Sequence, residues 1–293
     1  MYDIAAYYEA STVQEAVALR VAHPDAKIIA GGTDVLVQVR SGKLAGCELL
    51  SIHDIAELKG VTLEADGTIR IGSLTTFSAI TADPIVQANI PVLGQAVDHV
   101  GGPQIRSAGT IGGNTCNGVT SADSASTLLA LDALVELTGV NGKRVVPIAD
   151  FYLSAGVTDV KPDEIQTAIL IPKTAYEGYQ GHYIRYAMRE AMDISMVNCS
   201  VNVKLSADKQ TIEDVRVAYG VTGPVPMRAP AAEAAAKGKA VCTEAVEAFA
   251  AAVLTDIHPR DSWRASKAFR EHIAVELAKR CLSESIKLAG GAF

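Results

Sequence analysis

Residues 28–35 read Ile28-Ile29-Ala30-Gly31-Gly32-Thr33-Asp34-Val35, an apolar strand that runs into two adjacent glycines, a hydroxyl and a short acid. Adjacent glycines let successive backbone N–H groups point into one concavity, which makes an anion-binding nest. Without a Cβ, such a turn also lets a ligand approach the backbone closely. A strand turn in which Thr33 and Asp34 cap the following segment would account for the same residues. This first loop alone leaves both interpretations open.

A second glycine-bearing stretch reads Gly109-Thr110-Ile111-Gly112-Gly113-Asn114-Thr115-Cys116-Asn117-Gly118-Val119-Thr120-Ser121-Ala122-Asp123. Gly113 and Gly118 have the spacing of a phosphate-binding P-loop, but Val119 stands where that motif requires Lys. No GxGxxG lies between a strand and a helix, so a Rossmann dinucleotide fold is not supported either. Two such glycine stretches in one chain favour a long, charged ligand that is clamped from both ends.

Short strand-like and helix-like segments alternate through the first half of the chain. Residues 5–23, with Ser11 or Thr12 as the cap after Tyr7-Tyr8, and residues 84–100 have the spacing of helices. Residues 101–126, which are rich in glycine and small polar side chains, read as a loop. A strand over residues 164–171 ends at Pro172.

The second half of the chain has a different order of predicted elements. Three strand-like segments predict an antiparallel sheet with one wet face, and Ala-rich helices follow them. Residues 174–181, with two glycines and two tyrosines, form the candidate domain boundary. Strands followed by helices indicate an α+β fold rather than a doubly wound sheet.

Composition limits the possible partners. The 293 residues include 26 Lys and Arg against 33 Asp and Glu, a net charge of −7, with no dense basic run, which argues against nucleic acid. Mean hydropathy is positive at +0.20, but the apolar stretches are shorter than the ~20 residues that cross a bilayer, and no secretion signal is visible. We therefore expect a cytoplasmic protein with no membrane partner. The five cysteines are scattered singly and predict no metal site.

The order of two motifs carries a family resemblance. AGGTD at residues 30–34, TIGGN at residues 110–114 and Asp123, nine residues beyond the Asn, together resemble the FAD-binding subunits of the molybdenum hydroxylases. That family includes xanthine, carbon monoxide and nicotinate dehydrogenases. YAMREAMDIS (residues 186–195) and PRDSWRASKAFR (residues 259–270) are similar to its C-terminal half, so the resemblance covers nearly the whole chain. The detail of TSADSA and AMREAMDIS looks most like the bacterial xanthine dehydrogenase FAD-binding subunits.

The resemblance implies an α+β fold in two domains. Residues 1–175 would form a two-lobed PCMH-type FAD-binding domain. Residues 176–293 would form a C-terminal α+β domain, an antiparallel sheet with helices, like the CO dehydrogenase flavoprotein C-terminal domain. FAD is expected between the lobes and this second domain. Residues 117–122 lack the proline that many members carry, so the path of that loop stays open.

The resemblance also implies which residues bind FAD, while none in this chain is expected to be catalytic. The first loop would wrap the pyrophosphate with backbone N–H groups, and the second would lie along its other side and the ribityl chain. Val100 would face the flavin ring, and Ile165 would lie near the adenine. The expected cofactor-binding residues are Ile28, Ile29, Ala30, Gly31, Gly32, Thr33, Asp34, Val35, Val100, Thr110, Ile111, Gly112, Gly113, Asn114, Asp123, Ile165 and Arg185.

Three charged positions carry further expectations. Asp123 would accept hydrogen bonds from the cofactor. Arg185 would place a cation near the pyrimidine edge of the flavin and stabilise its reduced form, unless it is a solvated strand residue. Residues 189–193 resemble a loop near the flavin that influences access of the electron acceptor, unless they form a surface turn held by a local ion pair.

The function implied by the resemblance is an electron relay. An organic substrate would be hydroxylated at a molybdenum cofactor in a large partner subunit. Electrons would then pass through [2Fe–2S] clusters in a small partner subunit to FAD on this chain and on to NAD⁺ or another acceptor. A dimer of heterotrimers and a purine substrate, xanthine or hypoxanthine, are the family expectations. A stand-alone PCMH-type flavin oxidoreductase and a non-catalytic assembly subunit with a vestigial FAD site remain alternatives.

Overall fold

The N-terminal lobe is built on a small parallel sheet. The computed structural model describes residues 2–293 of the chain. The elements of this lobe are β1 (Ile4–Glu9), α1 (Val13–Ala22), β2 (Lys27–Ile29), α2 (Val35–Arg40), β3 (Cys47–Ser51) and a short 3₁₀ turn (Ala56–Leu58). The strands lie in the order β1-β3-β2, and both pairings are parallel.

The predicted cap at Ser11 or Thr12 is confirmed at the start of α1, whereas the residues before it, which the segment 5–23 included, are not helical. The Thr12 hydroxyl accepts a hydrogen bond from the N–H of Glu15 (3.1 Å), and the Glu15 carboxylate accepts one from the N–H of Ser11 (2.8 Å). This reciprocal capping box fixes the first helical residue at Val13. The residues before it are therefore free to join the sheet as β1.

The second lobe is built on a five-stranded antiparallel sheet. Its strands are β4 (Val61–Leu63), β5 (Ile69–Gly72), β6 (Leu134–Gly139), β7 (Gly142–Pro147) and β10 (Ile165–Ile171), and β8 (Tyr152–Ser154) and β9 (Val157–Thr158) form a separate hairpin. The sheet order is β4-β5-β10-β6-β7. Ile165, at the start of β10, packs into the core of the N-terminal lobe and so ties the two lobes together.

Helices occupy most of the chain between β5 and β6. They are α3 (Phe77–Ala82), α4 (Pro84–Asn89), α5 (Pro91–Val97), α6 (Pro103–Ala108), α7 (Ile111–Asn117) and α8 (Asp123–Ala130), and α9 (Ile148–Phe151) follows β7. The single helix predicted over residues 84–100 is broken because Pro91 lacks an N–H and Ile90 leaves helical geometry (φ −138°). The loop predicted over residues 101–126 is largely helical.

The C-terminal half confirms the predicted α+β class. After α10 (Lys173–Tyr176) come β11 (Tyr179–Tyr186), β12 (Val197–Leu205), β13 (Ile212–Gly220), β14 (Met227–Arg228), α11 (Pro230–Ala236), α12 (Thr243–Ala252), a 3₁₀ turn (Val253–Thr255) and α13 (Lys267–Leu288). The strands form one antiparallel sheet in the order β11-β12-β13-β14. Within residues 2–293, no helix combines the length and the apolarity that a membrane crossing requires.

The expectation of a wet face on this sheet was wrong. Along β12 the apolar residues, such as Cys199 and Val201, pack into a core with α13. The alternate residues Asn198, Ser200 and Asn202 are polar, a pattern typical of a solvated face. They are nevertheless buried, because α8 of the preceding lobe packs against β12 and β13.

Helix α8 is the element that joins the two halves of the molecule. All eight of its residues are buried. Near its C-terminal end, the carbonyl of Ala130 accepts a hydrogen bond from the Asn202 side chain (2.9 Å). Asp132, just beyond, forms ion pairs with Arg216 (3.0 Å) and Arg228 (2.5 Å). The C-terminal end of α8 is therefore held by residues of the C-terminal sheet.

A buried carboxylate anchors the sheet of the second lobe. Glu136 on β6 accepts two hydrogen bonds from Arg70 on β5 (2.8 and 3.0 Å) and one from the hydroxyl of Thr167 on β10 (2.6 Å). Burial alone would raise the pKa of Glu136, but these hydrogen bonds and the charge of Arg70 outweigh it and lower the pKa to about 2. The group therefore links three neighbouring strands in its ionised form.

We expect Glu136→Gln to destabilise the protein by about 2–3 kcal/mol at neutral pH, because the amide loses the ion pair with Arg70. A carboxyl with a lowered folded pKa stabilises the fold above its unfolded pKa, near 4.5, and loses that contribution as the pH falls toward its folded value of about 2. The difference from wild type should therefore shrink as the pH falls from about 5 to about 2. Urea unfolding at several pH values measures it, with Glu9→Gln at an exposed strand position as the control. An equal difference at all pH values would contradict this account.

Candidate functional site

A cleft opens between the two lobes of the N-terminal half. Its volume is about 1320 Å³ when the space at its open mouth is included, and its walls come from residues 20–166. The first lobe contributes the end of α1, β2 and the first glycine loop, and the second contributes α7 and the start of β10. Among the described residues, none after Gln166 lines it. The expected position of FAD against the C-terminal domain stays a prediction.

The first glycine loop presents a row of free donors to this cleft. The backbone N–H groups of Gly31, Gly32, Thr33 and Asp34 donate to no acceptor within residues 2–293. Gly32 has a φ of +71°, which turns the chain after β2. Asp34 makes no capping hydrogen bond to α2. The geometry therefore favours an anion-binding nest over a plain capped turn.

Gly31 marks the point where the two lobes touch. A Cβ on this residue would lie 1.7 Å from the carbonyl oxygen of Ala108, the last residue of α6. The contact is backbone against backbone, so no side chain could move aside to make room. The loop and the second lobe can approach this closely only because residue 31 has no side chain.

The second glycine stretch is a helix start and not a second nest. Thr110 caps α7 by accepting a hydrogen bond from the N–H of Gly113 (3.1 Å). The N–H groups of Ile111, Gly112 and Asn114 donate to the carbonyls of Thr75, Ser73 and Thr110, respectively. What this wall offers a ligand is the positive end of the α7 dipole and the open surface at Gly113.

Asn114 faces the same cleft with its amide held in one orientation. The hydroxyl of Ser124, on α8, donates to Asn114 Oδ1 at 2.6 Å. The amide nitrogen is thereby left to donate elsewhere. Because Asn114 lines the cleft, α8 fixes the direction in which this side chain offers its N–H groups.

Most of the residues expected to bind the cofactor line the cleft. Those that do are Ile28, Ala30, Gly31, Gly32, Thr33, Asp34, Val35, Val100, Thr110, Gly112, Gly113, Asn114 and Ile165. Ile29 and Ile111 are buried outside the cleft wall, and Ile111 belongs to the core of the second lobe. Asp123 and Arg185 also lie outside the cleft wall.

Asp123 is a buried carboxylate at the first turn of α8. Its Oδ1 accepts hydrogen bonds from the hydroxyls of Tyr183 (2.7 Å) and Ser195 (2.6 Å), which both belong to the C-terminal half. Burial raises the pKa of Asp123, while the two hydroxyl donors act in the opposite direction. No protein donor within residues 2–293 reaches its Oδ2. The structure thus gives Asp123 a role in joining the halves, alongside any contact with a ligand.

Arg185 supports the rim of the cleft from behind. Its guanidinium donates to the carbonyls of His99 (2.8 Å), Glu190 (2.9 Å) and Asp193 (3.2 Å). It therefore joins the segment before Val100 to the loop after β11. Arg185 is therefore not a freely solvated side chain, and its expected position near the pyrimidine edge of the flavin stays a prediction.

The loop at residues 189–193 contacts the same rim of the cleft. The N–H of Arg189 donates to the Asp193 carboxylate (2.9 Å), and their charged groups lie 3.7 Å apart. The N–H of Met192 donates to the carbonyl of Gly101 (3.3 Å). A local ion pair therefore shapes the loop, and Met192 anchors it next to Val100.

Several wall residues carried no signal in the sequence. Arg20 lies in the last turn of α1 and Pro24 just beyond it, Phe77 and Ile105 belong to short helices, and Gln166 lies on β10. Cys116 and Asn117 directly follow TIGGN, so the helical continuation of that motif could have indicated them. Within residues 2–293, no group of three or more His, Cys, Asp or Glu is placed to hold a metal.

The wall chemistry fits a flavin dinucleotide. The middle of the cleft carries four unpaired N–H donors that suit a pyrophosphate. Phe77, Val100 and Ile105 give part of the wall an apolar surface that suits a large ring system. Arg20 and Gln166 give another part polar groups that can bond to a polar heterocycle.

Family comparison agrees with this chemistry. Residues 2–174 match the family model described as the FAD binding domain in molybdopterin dehydrogenase. The chain belongs to this family. Residues 182–285 match the CO dehydrogenase flavoprotein C-terminal domain, which confirms the expected fold of both halves.

Individual relatives cover the chain almost completely. It is 42% identical over 291 residues to a putative xanthine dehydrogenase FAD-binding subunit of Escherichia coli K12, covering 99% of both chains. It is 31% identical over 278 residues to the carbon monoxide dehydrogenase medium chain of Hydrogenophaga pseudoflava, covering 94% of this chain and 95% of that one. A solved structure of carbon monoxide dehydrogenase from that organism superposes with a TM-score of 0.91, covering 97% and 98% of the two chains at 31% identity.

We expect Gly31→Ala to abolish flavin binding, because the new methyl group would force the first loop away from Ala108 and open the cleft. The ratio of flavin to protein absorbance measures this. Overpacking of this kind also costs about 1–3 kcal/mol of stability, which thermal unfolding records. Gly94→Ala in α5, where a Cβ would meet its neighbours at an ordinary 3.7 Å, is the matched control. A variant that keeps its flavin would contradict the close approach.

We expect Tyr183→Phe to weaken the contact between the two halves by about 1–2 kcal/mol, since it removes one of the donors to the buried Asp123 carboxylate. With that donor gone, the pKa of Asp123 rises further, so the loss is larger at pH values where the carboxyl is ionised. Urea unfolding at pH 7 and near pH 4 measures both effects. Tyr7→Phe, at an exposed position, is the control. Equal stability of the two variants would show that the Tyr183 hydroxyl does not stabilise the interface.

Proposed function

We propose that this chain is the FAD-binding electron-transfer subunit of a molybdenum hydroxylase complex of the xanthine dehydrogenase kind. Its role would be to take electrons from [2Fe–2S] clusters and pass them to NAD⁺. The observation that carries the proposal is the row of four unpaired N–H groups at Gly31 to Asp34, facing the α7 N-terminus across a cleft whose wall is partly apolar. The family membership supplies the cofactor class.

The same residues would hold FAD without taking part in chemistry themselves. The first loop would bind the pyrophosphate, and α7 would face it from the other side. Val100 would pack against the flavin ring and Ile165 against the adenine. Bound flavin supplies the exchange between one-electron and two-electron transfer that such a relay needs. Asp123 and Arg185 would act on the site by fixing its walls from the C-terminal side.

The partners belong to the proposal as well. Relatives are named as medium chains or FAD-binding subunits, which supports a large subunit with the molybdenum cofactor, a small subunit with [2Fe–2S] clusters and a dimer of heterotrimers. A purine, xanthine or hypoxanthine, is the proposed substrate of the whole complex, supported by the 42% identity to the xanthine dehydrogenase subunit. The division into residues 1–175 and 176–293 would fall within α10, where the chain leaves the second lobe.

Co-expression with the neighbouring subunits tests this function. The purified complex should show flavin absorption and contain molybdenum and iron. Xanthine should bleach both the iron–sulfur and the flavin bands, and NAD⁺ should restore them. In a complex with Gly31→Ala, xanthine should still bleach the iron–sulfur bands, while reduction of NAD⁺ should be lost.

Two outcomes would overturn the relay. A yellow chain that purifies without companions and is reduced directly by an organic substrate would identify a stand-alone flavin oxidoreductase. A colourless chain that still joins the complex would identify an assembly subunit.

A further inference from the structure

An unpaired amide lies in the cleft wall, on the side chain of Gln166. Gln166 is 4% exposed, and its Oε1 accepts hydrogen bonds from the Thr115 hydroxyl (2.8 Å) and the Cys116 thiol (2.9 Å). Its Nε2 has no acceptor within residues 2–293. Leaving a buried amide nitrogen unpaired costs free energy. Since Gln166 lines the cleft, a bound ligand is the natural source of the missing partner.

Turning the amide over does not remove the problem. The Thr115 hydroxyl also lies 3.1 Å from the carbonyl of Ile111, so its one proton can go there. If the amide turned by half a revolution, Nε2 would donate to Thr115 Oγ1, and Oε1 would lose its partners. In either orientation, the protein satisfies one amide atom of Gln166 and leaves the other free.

A second unpaired donor lies in the wall of the same cleft. Arg20 closes the last turn of α1, and its Nη1 is held by the carbonyls of Ala26 (2.8 Å) and Pro24 (3.2 Å). Its Nε is buried without an acceptor. Helix α1 contacts β10, which carries Gln166. Arg20, from the first lobe, and Gln166, from the second, therefore both line the cleft.

Local chain geometry explains why Gln166 faces the cleft. The register between β10 and β6 shifts between Gln166 and Ala168, which makes Thr167 the extra residue of a bulge. Bulges redirect side chains at binding sites. The Thr167 hydroxyl bonds to Glu136 (2.6 Å), so the bulge is held in place by the buried ion pair of the second lobe.

We propose that Gln166, supported by Arg20, is the residue that selects the adenine half of FAD. Adenine carries ring-nitrogen acceptors beside an amino donor, and a glutamine amide matches this edge. The free atom of the Gln166 amide pairs with that edge, while Arg20, Pro24 and Ile165 surround the ring. The inference rests on the proposed function, since it takes FAD as the ligand. It assigns to Gln166 a role in preferring FAD over FMN, which has no adenine.

Binding of two flavins by the flavin-depleted full-length chain tests the proposal. Protein fluorescence titration should show that Gln166→Leu raises the Kd for FAD roughly 10-fold, the effect of one lost hydrogen bond, and leaves the Kd for FMN within about two-fold. ADP should compete with FAD on the wild type and compete roughly 10-fold less well on the variant. Gln180→Leu, at an exposed position on β11, should match the wild type in every titration.

Other results of these titrations would contradict either the inference about Gln166 or the proposed function. Equal weakening of FAD and FMN would make Gln166 a structural residue, and unchanged FAD binding would remove it from the site; either result overturns the inference and leaves the proposed function intact. A wild-type chain that binds no FAD would overturn the proposed function itself. If Gln166→Leu does not fold, Gln166→Glu keeps the acceptor for Thr115 and has no N–H, and the same comparison of FAD with FMN decides.

Discussion

The contact between Gly31 and the carbonyl of Ala108 is the constraint on which the rest of the site depends. It fixes how closely the first glycine loop lies against the second lobe, and with that the width of the cleft. The four N–H groups from Gly31 to Asp34 are free because this loop belongs neither to the sheet nor to α2. The absence of one side chain thus converts two packed lobes into a binding site.

Sequence patterns correctly located the two motifs of this site, but they predicted the conformation of only one of them. AGGTD was correctly located as a turn after a strand, because consecutive glycines have few other uses there. TIGGN suggested a second turn for the same reason, yet it begins a helix. Gly112 must pass close to the backbone of Ser73, which lies far away in the sequence, and nothing local reveals that contact. Long-range packing, and not composition, decided the conformation of the second motif.

The same limit applies to what lies outside the motifs. The alternation along β12 predicted a solvated face because Asn198, Ser200 and Asn202 are polar, but α8 covers them. Arg20 and Gln166 enter the cleft through a helix end and a bulge, neither of which leaves a motif. The fold class and the order of domains could be predicted because they depend on the period of hydrophobic residues and on family-wide motifs. The walls of the cleft could not, since they form where distant segments meet.

The complete burial of α8 has a consequence for how proteins of this kind can be recombined. Helix α8 belongs to the N-terminal domain along the chain but also packs against β12 and β13 of the C-terminal domain. If the C-terminal domain is moved to another protein without α8, the surface of its sheet that α8 covers is exposed. The residues that face this helix from β12 are polar, and one of them, Asn202, donates to the Ala130 carbonyl of α8, so a foreign sheet would present the wrong surface. Chimeras made by cutting within α10 should therefore succeed only between chains whose α8 and β12 match. The two domains have different architectures, but they can be exchanged between related proteins only together.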